Sequence, residues 1–203
     1  MEHARRIVTF NWLTADGYFA GRDGNLDWVV ADEEQAKVAA EDIRNFDTVL
    51  FGRRTYEIFE TFWGHVVVDD EGTVPDPHHP ERRSPEHGAV AIALNKMSKL
   101  VFSRTMKDVT WRNSRLIREL DPGEIKTMKR QSGKDMIIFG SGSIVSQLTQ
   151  HGLIDEYQFA VCPIFIGKGQ SLLTSVSKHV RLDLLEAKAL PTGDVMLRYA
   201  RRN

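Results

Sequence analysis

Three short stretches combine glycine, hydroxyl and guanidinium groups in ways that suit an anionic ligand. In "FGRRTYE" (51–57), Gly52 is followed by Arg53, Arg54 and Thr55 where an apolar run gives way to a helical pattern. A guanidinium fork matches two phosphate oxygens at once, and the neighbouring hydroxyl adds a further donor. In "IIFGSGSIVSQL" (137–148), Gly140, Ser141, Gly142, Ser143 and Ile144 lead from an apolar strand into a helix. Backbone N–H groups and the helix dipole would then face whatever lies beyond the strand, and the glycines allow close approach. In "FSRT" (102–105), Ser103, Arg104 and Thr105 again follow a strand-like run. Taken singly, each stretch has a plainer reading as a helix cap or a solvated turn. The second is not a dinucleotide fingerprint, because Val145 stands where its last glycine would be, and no Gly-Lys-Ser/Thr follows to make a P-loop. All three fall at the carboxyl ends of strands, where open α/β sheets bind ligands, and their joint occurrence weighs more than any one.

Bulk properties narrow the ligand. The chain has 203 residues and 41% hydrophobic content, enough for a substantial core and nearest in length to one domain, 1–203. With 27 Lys plus Arg against 28 Asp plus Glu, the net charge of -1 does not support general binding to nucleic acid or an anionic membrane, so any anion is bound locally. Cys162 is the only cysteine, which rules out an internal disulfide framework and a cysteine-based zinc cluster. A reducing cytoplasm fits, and no segment has the roughly 18 apolar residues of a spanning helix, so a soluble, unprocessed chain is expected. His78 and His79 lie near Asp69, Asp70 and Glu71, but nothing fixes ligand geometry there and no metal is expected.

The elements that must position these groups can be read from periodicity. Residues 7–13 are apolar on both alternating faces, as in a central strand covered on both sides. "ADGYFAGRDGNLDW" supplies turn signals for a long loop, and "DEEQAKVAAEDIRNF" places Ala36, Ala39, Ala40, Ile43 and Phe46 at helical spacing from about Asp32. "TVLF" (48–51) reads as a buried strand and "RTYEIFETF" as the following helix. From Gly64 to Gly88 the composition turns to Pro, His, Asp, Glu and Arg without a period, which predicts an exposed loop. Further strands are expected at 99–103, 136–140, 155–166, 181–190 and 195–200, and helices near 122–131 and 143–151. Alternating strand and helix followed by terminal strands predicts an α/β fold, a mostly parallel central sheet with an antiparallel C-terminal edge.

The order of motifs "LTADGYFAGRDGNLDW", "VLFGRRTYEIFETFW", "KLVFSRT", "IIFGSG", "GLIDEY" and "PIFIGKGQSLL" resembles the dihydrofolate reductase-like family, in the branch that includes the reductase domain of the bifunctional riboflavin-biosynthesis deaminase-reductase. The resemblance covers nearly the whole chain. It implies a three-layer dihydrofolate reductase-like fold that binds NADPH, with Gly52, Arg53, Arg54 and Thr55 on the pyrophosphate and 2′-phosphate. Ser103, Arg104 and Thr105 would lie at the adenosine 2′-phosphate, and Gly140 to Ile144 at the pyrophosphate. The family's first loop, Asp16 through Trp28, would cover the nicotinamide, with Ala20 against the cofactor and Trp28 near the substrate.

The pattern also departs from the family. True dihydrofolate reductases place a carboxylate five residues beyond the loop tryptophan; here that position is Glu33, with Asp32 one earlier. Asp16 and Asp32 are the candidate catalytic acids, each with a structural alternative as a turn former or a helix N-terminal residue. The deaminase half is absent, since its zinc site needs Pro-Cys-x-x-Cys. The expected activity is hydride transfer from NADPH to a C=N or C=O bond of a small polar pterin-, pyrimidine- or ribityl-like molecule. The alternatives are a non-catalytic NADP(H)-binding or sensing protein, or a scaffold whose phosphate site has lapsed. A homodimer is implied by the resemblance alone.

Overall fold

The computed structural model describes residues 4–30, 33–76 and 80–202. The chain opens with β1 (Ile7–Thr14), a brief strand β2 (Ala20–Gly21) in the first loop, helix α1 (Glu33–Asp42) and a single 3-10 turn, Ile43–Asn45. Strand β3 (Phe46–Gly52) leads directly into α2 (Arg53–Phe59), whose end widens into a π-turn, Glu60–Gly64. Two short strands, β4 (Val74–Pro75) and β5 (Arg83–Ser84), precede α3 (Pro85–Lys96), β6 (Ser98–Phe102) and β7 (Ser114–Ile117). Then come α4 (Pro122–Lys129), β8 (Asp135–Phe139), α5 (Gly142–Gln150), β9 (Glu156–Cys162), β10 (Gly169–Gln170), β11 (Leu182–Ala189) and β12 (Val195–Arg201).

Eight strands form one sheet in the order β11-β12-β9-β1-β8-β3-β6-β7. From β9 to β7 all pairings are parallel, whereas β12 joins β9 and β11 antiparallel, as the alternation of strand and helix predicts. Strand alternation divides the core into two. Ile7, Leu50, Leu100, Met136 and Ile138 pack with Ile125 of α4 and Ile144, Val145 and Leu148 of α5. Their neighbours Val8, Val49, Phe51, Val101 and Ile137 pack on the opposite face with Ile43, Tyr56 of α2 and Leu94 of α3. Because helices cover both faces, the central strands are apolar at consecutive positions rather than at every second one.

Several boundaries differ from expectation, each for a physical reason. Helix α1 ends at Asp42 and Phe46 begins β3, so the helical spacing of Ile43 and Phe46 reflects a 3-10 turn and a strand that share one core. The expected strand 155–166 stops at Cys162, where Pro163 removes a ladder donor. The polar 64–88 stretch is irregular only as far as β5. Ser84 then caps α3, its hydroxyl accepting the His87 N–H at 3.2 Å, with Pro85 at the first helical position. Helix α3 has no clear polar stripe because it is packed on several sides, which hides it from a periodicity search. Strand β7 is a four-residue edge strand, too short to show a period.

Candidate functional site

The turns after β3 and β8 are one structure. Gly52, at the end of β3, donates its N–H to Ser141 Oγ at 3.0 Å, and Ser141 returns its own N–H to Thr55 Oγ1 at 3.0 Å. Gly140 and Ser141 both take left-handed backbone conformations, φ 52° and 48°. This double reversal turns β8 sharply into α5, and only Gly140 adopts it without a steric cost. Strand β1 anchors the same turn: Phe10 O accepts the Gly140 N–H at 3.2 Å, and Asn11 Nδ2 donates to Gly140 O at 2.8 Å. At Gly142 a Cβ would overlap the ring of Phe19, so glycine there lets the first loop lie against the start of α5. Two stretches joined by bonds that span 86 and 89 residues thus form a single glycine-lined cradle.

The third stretch builds the adjacent rim. Ser103 Oγ accepts the N–H groups of Thr105 and Met106 at 3.3 and 3.0 Å, so its hydroxyl shapes the turn while Arg104 and Thr105 stand exposed. Arg118 pins this turn from below, its Nη1 donating to the carbonyls of Ser103 and Met106. Arg53 is exposed on the cleft wall, and Arg54 donates to Asp23 O of the first loop at 2.6 Å.

A cleft of about 1210 Å³ gathers these polar groups with a set of aromatic side chains, the aromatic lobe. Arg53, Arg54, Arg104 and Gly140 to Ser143 line it together with Phe10, Trp12, Phe59, Phe62, Trp63 and Phe139. Phe59 stacks on Phe139 with centroids 5.4 Å apart, and Phe10 meets Trp12 edge-on at 5.4 Å. Trp12 is held by its Nε1–H to Gln35 Oε1 at 3.2 Å, and Gln35 in turn donates to the buried carboxylate of Asp194. Around the mouth, Val30, Ile58 and Phe62 are 63%, 56% and 41% exposed, an apolar rim of the kind that marks ligand grooves. Glu33, the first residue of α1, also lines the cleft.

The RibD C-terminal domain profile matches residues 5–196. The chain belongs to the RibD C-terminal domain family. It is 25% identical over 195 residues to YyaP of Bacillus subtilis (strain 168), an uncharacterized protein, across 96% of this chain and 94% of that one. Among solved structures it resembles a putative riboflavin biosynthesis protein from Shewanella sp. PV-4, with TM-score 0.69, 19% identity and coverage of 98% and 99%. It also resembles a dihydrofolate reductase from Enterococcus faecalis complexed with NADP(H) and RAB-propyl, with TM-score 0.61, 12% identity and both chains fully covered. The fold is therefore the dihydrofolate reductase-like α/β fold.

Within this RibD-type domain the expected site residues separate into groups. Ala20, Gly52 to Thr55, Ser103 to Thr105 and Gly140 to Ser143 converge on one cleft, while the side chain of Ile144 is buried in the core. Asp16 is elsewhere: its carboxylate accepts the N–H groups of Gly167 at 2.7 Å and Ile166 at 3.4 Å, tying the first loop to the segment after β9. The Thr14 hydroxyl above all, and then these amides, hold its carboxyl below the usual carboxylate range. That direction is opposite to what a proton donor at neutral pH requires. Asp32, His78 and His79 lie outside the described residues. Trp28 is buried rather than cleft-facing, its Nε1 has no hydrogen-bond partner among the described residues, and its neighbours Leu26, Val29 and Val30 line the cleft instead. Sequence reasoning missed Asn11, Gln35, Arg118 and the aromatic lobe. Phe59 and Trp63 are spaced i, i+4, which signals a shared helix face but not what that face meets.

Among the described residues no helix is long and apolar enough to cross a membrane, and no group of three His, Cys, Asp or Glu could hold a metal.

Proposed function

We propose that this domain is an NADPH-dependent reductase acting on a C=N or C=O bond of a small heterocyclic molecule. The observation that carries the reading is the Gly52–Ser141–Thr55 junction, which sets a glycine cradle beside arginines in a cleft that aromatic side chains also line. The residues present fit a phosphorylated dinucleotide. The Gly140–Gly142 turn brings backbone close, and Arg53, Arg54 and Arg104 supply fixed positive charge on the same cleft. When bound, NADPH supplies the hydride.

The chain's own residues do the rest. Arg53 and Arg104 would hold phosphate, favouring NADPH over NADH. Phe10, Trp12, Phe59 and Phe139 orient a planar group and exclude water. Glu33, at the start of α1, is one of the acids that line the cleft, with Asp42, Asp76, Glu86 and Glu186, and would hand a proton to the reduced atom, while Asp16 keeps the first loop in position. We also propose a cytoplasmic homodimer formed through the terminal edge, because Leu184 and Leu185 on β11 are 57% and 53% exposed.

The test is a titration of purified protein with NADPH and NADH, followed by tryptophan quenching, with Arg53→Ala and Arg104→Ala as variants, and then a pterin, pyrimidine and carbonyl substrate panel. Micromolar NADPH binding, weaker NADH binding and losses of roughly tenfold or more in each variant are expected. Binding without turnover of any compound would favour a sensing role, and no binding of either cofactor would refute the reductase.

A further inference from the structure

Trp12 lines the cleft as a half-buried indole held by two contacts. Phe10 meets it edge-on at 5.4 Å with the rings 81° apart, and its Nε1–H donates to Gln35 Oε1 at 3.2 Å. Its partner across the sheet on β9 is Ala160, too small to cover the ring. An indole has one donor and no acceptor, and here that donor is committed to Gln35. What Trp12 offers a ligand is therefore its π face.

Behind Gln35 stands a carboxylate that the proposed reaction does not use. Gln35, in the first turn of α1, donates from Nε2 to Asp194, which is buried where β11 turns into β12. Leu190 N–H to Asp194 O at 2.8 Å and Gly193 N–H to Leu190 O at 3.0 Å close that turn, so the carboxylate projects from a fixed base. It also faces the Cys162 thiol, which burial above all, and then the Asp194 charge, push up to about 12. Burying an ionised carboxylate is costly, and what it provides that a neutral amide does not is a group that only accepts. Between an acceptor-only carboxylate and a donor-only indole, the Gln35 amide has one orientation that satisfies both ends: its NH2 toward Asp194 and its oxygen toward Trp12.

We propose that Asp194 is a positioning residue that acts through Gln35 to hold the Trp12 indole as a stacking platform for a planar, electron-poor heteroaromatic ring. This rests on the reading that the aromatic side chains of the cleft receive the substrate. An indole face carries negative potential and attracts a ring depleted of electrons by its nitrogens and carbonyl groups, and an indole already fixed in place incurs little ordering cost when that ring arrives. The polarity of the relay can be moved. Gln35→Glu combined with Asp194→Asn shifts the carboxylate one residue along the chain, where it accepts from Trp12 on one side and from the new amide on the other, which keeps its oxygen for Cys162.

The test measures the dissociation constants of pterin and uracil, the planar probes, on the full chain by calorimetry, and follows the Trp12 indole N–H by NMR. Trp12→Leu should bind the tighter probe about tenfold more weakly, and Gln35→Met and Asp194→Asn about threefold to fivefold. In both relay variants the Trp12 N–H should shift and exchange faster with solvent. Gln35→Met should have no further effect on affinity in a Trp12→Leu background, because the relay acts only through the indole. Gln35→Glu with Asp194→Asn should return affinity to within about twofold of the parent, whereas Gln35→Glu alone, which sets two carboxylates together, should not. Thermal melts identify any variant that fails to fold, and Gln35→Met, close to the parent in shape, carries the test if Asp194→Asn does. A relay that only supports the fold would weaken the probes equally with and without Trp12. That result, parent-like affinity in Gln35→Met, or a parent that binds neither probe would overturn the platform. NADPH titration of the same proteins separates the two readings: loss of the platform with NADPH binding intact leaves the cofactor site standing, and a parent that takes a probe with full relay dependence but no NADPH sinks the reductase alone.

Discussion

Ser141 offers a test of the cradle that needs no ligand. It sits at φ 48°, ψ 47°, in the left-handed region, and its Oγ accepts the N–H of the buried Gly52. Ser141→Ala keeps the backbone strain and removes the acceptor, and a buried N–H deprived of its partner costs about 1–3 kcal/mol. Ser141→Gly removes the same acceptor but releases the left-handed penalty of about 1–2 kcal/mol. Added freedom in the unfolded chain takes back about 0.5–1 kcal/mol. The alanine variant should therefore be destabilised by about 2 kcal/mol and the glycine variant by about 0.5–1 kcal/mol less than that. For a chain of this size each kcal/mol shifts Tm by about 2–4 °C, so Ser141→Ala should melt about 4–8 °C below the parent and Ser141→Gly about 2 °C above Ser141→Ala. Thermal and urea denaturation of the three proteins reads both differences. An alanine variant within about 1 °C of the parent would show that the Gly52 bond contributes nothing. A glycine variant less stable than the alanine one would show that the turn carries no strain.

Two further perturbations probe charged groups in the core. Lys99 is fully buried, donating to Met97 O at 2.8 Å and Arg112 O at 3.0 Å and lying 4.5 Å from the Trp111 ring centre; burial, with nearby Arg112 adding to it, lowers its pKa to about 8. Its folded value lies below the unfolded one, so the unfolded chain binds the extra proton between these values. Stability from this group should rise by roughly 3 kcal/mol from pH 8 to pH 10.5, and urea titrations of the parent minus Lys99→Met should show that rise. Glu156 is also buried; burial opposes its charge, but Gln158, Arg6 and Arg198 together hold its carboxyl below the usual range. Its contribution is present above the unfolded pKa and is lost as pH falls through the folded one. Glu156→Ala should cost about 1–3 kcal/mol at pH 7, because Arg6 and Arg198 stay partly solvated, with a smaller difference from the parent in acid, both read by denaturation.

How much was legible follows from how local each signal is. The sheet strands 7–13, 48–51, 99–103 and 136–140 were readable because a strand buried on both faces is a run of consecutive apolar residues, whatever its partners. The cradle glycines were readable because a left-handed turn restricts residue type at its own position. Helix α3 was not, since close packing on several sides erases the polar stripe that periodicity detects. Asp16 shows the opposite failure: Asp before Gly marks a turn, but the amides its carboxylate captures belong to Ile166 and Gly167, 150 residues away.

By itself the sequence determined the class of fold, the family, and the kind of groups gathered for an anion, because these depend on residue types and short-range spacing. Only the tertiary structure decided which groups face one another. It joined Gly52, Thr55 and Ser141 into one cradle, brought the aromatic lobe beside it, turned Trp28 and Asp16 away from the cleft and put Arg54 on the first loop. The physical reason is that each of these contacts closes across the sheet between segments far apart in the chain. Their partners are set by strand order and register, which no local pattern encodes.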